Sequence, residues 1–69
     1  MIEQQLRRVV RTGDNLEQQR EELGELIKKF DRSRAESARR AVLDAIARME
    51  ETIKRLQKDM EAIRGEIGD

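Results

Sequence analysis

Carboxylates are the residues in this chain that come nearest to a chemical site. They crowd into "EQQREELGE" at residues 17–25 and "MEET" at residues 49–52. Such groups can bind a metal or act as an acid pair only if they face inward into a dry pocket. Helical spacing instead puts Glu21, Glu22, Glu25, Glu51 and Glu61 on outward positions, where they solvate the helices and pair with Lys28 and Lys29. The chain has no histidine, cysteine, tyrosine or tryptophan. That removes the commonest general base, the thiol nucleophile and most zinc or haem ligand sets. Gly13, Gly24, Gly65 and Gly68 make no phosphate-cradling loop, and the last two are expected to fray the C-terminus. The expectation is a protein that is not an enzyme, with no catalytic residue, cofactor or metal.

Basic residues offer a second chemistry. Lys28, Lys29, Arg32, Arg34, Arg39 and Arg40 gather within thirteen residues, diluted by Asp31 and Glu36, and Arg7, Arg8 and Arg11 form a smaller group. Arginine suits bidentate phosphate contact, so Lys28, Lys29, Arg32, Arg34 and Arg40 are the candidate contacts of a nucleic-acid-binding hairpin. Against this reading, fifteen basic residues cancel fifteen acidic ones and Phe30 is the only aromatic, leaving no stacking platform for single strands. The structural alternative is that cations near a helix C-terminus offset its dipole and keep the chain in solution. Nucleic acid is therefore the second choice of partner.

The elements that position these residues follow from apolar spacing. Charged residues make up 43% of the 69 positions and proline is absent, a composition shared by long helices and by disordered chains. Periodicity separates the two. Ile2, Leu6, Val9, Leu16, Leu23, Ile27 and Phe30 keep a 3.5-residue repeat if Gly13 and Arg20 fill the open slots. Val42, Ile46, Met49, Ile53, Leu56, Met60, Ile63 and Ile67 keep it without a gap. Disorder has no reason to hold phase over four heptads.

Between the runs, "DRSRAES" offers Ser33 and Glu36 as a capping box, with Asp31 as an alternative cap. This predicts one domain over residues 1–69: helix 1 near 2–31, a turn near 31–33 and helix 2 near 34–67. The fold class is all-α, an antiparallel two-helix coiled-coil hairpin that dimerises into a four-helix bundle. "RTGDN" at residues 11–15 is read as a soft spot within one helix, because Val9 and Leu16 stay in phase across it. The rival reading takes Asp14 and Glu17 as a second capping box and makes three helices.

Folding at the turn pairs d positions across the seam, as Leu23 with Val42, Leu16 with Met49, and Phe30 with Ala35. It also pairs a positions, as Gly13 with Ile53, where the missing side chain allows close approach. Arg20 and Arg39 then occupy inward a slots, where a polar residue sets register. Glu17 and Glu36, one turn before each, are available partners. The g flank, with Leu26, Ala38, Ala45, Gln19, Thr12 and Thr52, is largely uncharged and small. It is the expected contact line for a second hairpin or a partner's helix. So small a core needs further burial. The function expected is therefore a protein–protein interaction module (an adaptor, regulator or inhibitor) that acts by helix packing and self-association. No apolar run reaches the roughly 18 residues of a spanning helix and no basic-then-apolar leader opens the chain, so no membrane partner is expected and the location expected is cytoplasmic.

Overall fold

The computed structural model describes residues 2–68. Two helices, α1 (Ile2–Ser33) and α2 (Glu36–Ile67), are joined by Arg34 and Ala35 alone. They pack side by side as an antiparallel hairpin with Cα extents of 50 × 14 × 14 Å. No helix among the described residues is long and apolar enough to cross a membrane.

α1 runs unbroken through Arg11–Asn15, so Asp14 and Glu17 start no new helix. An interior glycine costs about 1 kcal/mol relative to alanine, less than a corner that would break the apolar phase. Gly13 does not gain the close approach expected from Ile53, because a Cβ built there meets nothing within 4 Å.

The turn falls two residues later than the capping-box pattern predicts. Ser33 belongs to the last turn of α1, and the residue that precedes α2 is Ala35, which has no side-chain cap. Two local bonds explain the shift. The Arg34 amide donates to the Phe30 carbonyl at 2.7 Å with Arg34 at φ 55°, which closes α1 by the left-handed motif usually given to glycine. The Ser33 hydroxyl accepts from the Ala35 amide at 3.3 Å and so is engaged before α2 begins. Glu36 does not reach back to a cap; it accepts from Arg39 Nη1 at 3.1 Å. At the other end, Gly68 sits at φ 81° and donates its amide to the Arg64 carbonyl. It caps α2, where fraying is expected from sequence.

Burial shows which stripes face each other. The d positions Ile2, Val9, Leu16, Leu23 and Phe30 of α1 are half-buried, as are Val42, Met49, Leu56 and Ile63 of α2. Ala35, expected opposite Phe30, lies in the turn and is exposed. The second row of the seam is g. Ala45 is 5% exposed and Thr52 2%, the two most buried residues, and Gln5, Thr12, Gln19, Leu26, Ala38 and Asp59 are half-buried. Small side chains let two helices come close, so the seam rotates toward the row that holds Ala38, Ala45, Thr12 and Thr52. Both threonines satisfy their hydroxyls on their own helix: Thr12 donates to the Arg8 carbonyl at 2.8 Å and Thr52 to the Arg48 carbonyl at 3.0 Å.

Candidate helix-docking face

With d and g inside the hairpin, the a row is left outside. Leu6 and Ile27 of α1 and Ile46, Ile53, Met60 and Ile67 of α2 are all exposed. Two e positions extend the same face, Val10 at 64% exposure and Leu43. Single exposed apolar side chains mean little on a protein surface, but a line of them along one face of two helices marks an interaction surface. At its centre lies an open groove of about 340 Å³, lined by Gly13, Leu16, Glu17, Arg20, Met49 and Ile53. The half-buried d residues form its floor and the a residues its walls.

The expected docking line is corrected by this geometry. Ala45 and Thr52 cannot meet a partner because α1 covers them. Gln19 and Thr12 lie half-buried on the same g row. Leu26 and Ala38, also half-buried, line a shallow groove of about 390 Å³ on the back of the tip, beside Lys29 and Arg32. Arg20 and Arg39 are not in inward slots of the hairpin either; both are exposed. Arg39 pairs with Glu36, whereas among the described residues Arg20, Glu17 and Glu50 form no ion pair.

The basic tip is partly self-neutralised. The Arg34 guanidinium lies 5.5 Å from the Phe30 ring centroid and 3.6 Å from Asp31 Oδ1. Lys28, Lys29, Arg32 and Arg40 are exposed and make no ion pair among the described residues. No group of three or more acidic side chains among the described residues converges as a metal site would require.

Sequence reasoning missed the face made by a and e. Val10 and Leu43 carried its signal: two large apolar residues on a flank otherwise mostly charged make the stripe too wide for a single two-helix seam. No protein-family model matches the chain, and no curated protein or solved structure is significantly similar to it.

Proposed function

We propose that the chain is a small cytoplasmic protein–protein interaction module, an adaptor, regulator or inhibitor, that packs its a/e face against helices of a second copy or of a partner. The observation that supports this is the row of apolar side chains from Leu6 and Val10 through Ile53 and Ile46 to Ile27 and Leu43, exposed on one side of the hairpin. The mechanism is helix-in-groove burial: floor and walls are preformed, so binding orders little beyond side chains. The test is recovery from a native extract with tagged wild type and with a double variant, Ile46→Asp and Ile53→Asp, followed by mass determination of each complex. Helical companions, whether self or foreign, are expected with wild type and lost with the variant; equal recovery refutes the reading.

The tip favours a second reading, nucleic-acid binding, through the four cations that lack ion pairs. Here duplex retention at low salt, lost as salt rises and in Arg32→Glu, is the supporting result. No retention at low salt ends it.

A further inference from the structure

We propose that the occupant of the groove is a second copy of this chain, docked face to face with α1 against α1 running in opposite directions. This forms a four-helix bundle whose two-fold axis passes beside Glu17 and Arg20. The inference rests on the interaction-module reading and names its partner.

Surface area argues for an occupant of this size. A compact monomer of 8.1 kDa exposes about 4,500 Å², whereas the hairpin exposes 5792 Å². The excess, roughly 1,300 Å², exceeds the approximately 800 Å² per partner of a standard stable interface. A second rod of equal length covers the whole stripe, which a short peptide does not.

Charge and shape argue for a copy in this orientation. α1 spans Ile2–Ser33, so a two-fold axis across its middle brings residues whose numbers sum to about 35 level with one another. Arg20 of one copy then falls within about two residues, roughly 3 Å of rise, of Glu17 of the other. Around the axis the two Glu17 carboxylates come level with each other and the two Arg20 guanidiniums flank them, one on each side, so that the four charges sum to zero. Val10, the most exposed apolar side chain of the α1 stripe, comes opposite Gly24 of the second copy, where a Cβ would meet nothing within 4 Å in the lone hairpin. Ile27 comes opposite Leu6. The alternative two-fold, along the rod, stacks both tips at one end, each with six basic residues against two acidic between 28 and 40. The proposed orientation holds the tips at opposite ends of a 50 Å rod.

Sedimentation equilibrium on the full chain tests this. Wild type is expected at twice the chain mass of 8.1 kDa. Arg20→Glu and Glu17→Arg, each alone, place like charges around the axis and weaken self-association by about tenfold or more. An equimolar mixture of the two pairs every charge with its opposite between copies and restores the dimer. A folded monomer at about 100 μM, or a mixture that recovers nothing, overturns the proposal. So does oxidation of Glu17→Cys that fails to link two copies while a mixture of Glu17→Cys and Glu50→Cys links readily, which is the mark of the other two-fold. In each of these cases the interaction-module reading stands or falls separately, by whether Ile46→Asp with Ile53→Asp removes foreign helical companions.

Discussion

Arg8 on α1 and Asp59 on α2 form the one ion pair that joins the two helices among the described residues, with Nη1 at 3.6 Å from Oδ1. The other four pairs lie within a helix or its end, at spacings of three or four residues. Asp59 is a g residue whose side chain is 17% exposed, while Arg8 at 62% reaches over the seam from outside. The hairpin is thus held by packing, with one electrostatic clasp toward its open end. A double-mutant cycle on Arg8→Ala and Asp59→Ala is expected to give a coupling of about 0.5 kcal/mol, reduced by salt. Arg8→Ala alone is expected to cost more than an average surface change, because it leaves a mostly covered carboxylate without its partner. Urea unfolding of the four variants measures both.

Gln19 tests the rotation of the seam. Its Oε1 is buried with no hydrogen-bond partner, as is that of Gln5. An unsatisfied buried acceptor costs about 1–3 kcal/mol, and methionine has a similar length without the polar atom. Gln19→Met is therefore expected to raise stability by about 1 kcal/mol in chemical unfolding. Were the g row a solvated flank, the change would stay within about 0.5 kcal/mol of zero.

Two turn residues are poorly matched to their backbone, which makes stabilisation there a direct prediction. Ala35 has φ −74° and ψ 148°, the extended geometry of an N-cap, but no side chain to bond the first amides of α2. Ala35→Asp is expected to add about 1 kcal/mol and to favour the negative charge at the helix N-terminus. Arg34 at φ 55° pays the cost of a Cβ in left-handed geometry. Arg34→Gly relieves that strain but loses the contacts with Phe30 and Asp31, so its gain is expected to be smaller than that of Ala35→Asp. Thermal unfolding of the two single variants ranks them.

Gly13 is expected to be an easy gain within the hairpin. Its helical backbone suits any residue and a Cβ meets open space, so Gly13→Ala should stabilise α1 by about 1 kcal/mol. Amide exchange is expected to slow most over residues 11–17, where the helix is weakest.

The helical hairpin was legible in the sequence because a 3.5-residue repeat over two 32-residue helices leaves few other solutions. Leu16 and Met49, paired by counting from the turn, do line one groove. The rotation of the seam was not legible. A heptad pattern marks a, d and their flanks as apolar or small, but the distance between helices decides which two rows meet. That distance depends on Thr12, Ala38, Ala45 and Thr52 lining one seam at successive levels, a relation of four positions in three dimensions. The same small residues that suggested an approach for a partner are used first by the chain's own second helix. The turn was misplaced for a related reason: the serine–glutamate spacing has the cap chemistry, but the Arg34 amide can still close α1 on Phe30, and that bond forms within an existing helix.

Ile53 separates what the hairpin needs from what its open face needs. It is 38% exposed and walls the central groove, so in a lone hairpin a polar replacement forfeits only part of its burial. The loss from Ile53→Asp should then be near 1 kcal/mol, well below the roughly 2–5 kcal/mol of a truncated core residue. In an assembly that covers the a row, the same aspartate is buried largely against apolar side chains, with Arg20 in the same groove as the nearest cation, and association should fall by about one order of magnitude or more. Measuring helicity by circular dichroism and mass by sedimentation on the same sample reads the two effects apart. Retained helicity with lost association is the expected outcome. Loss of both together would mean that the hairpin folds only when its a row is covered. Unchanged association would mean that nothing docks on that face.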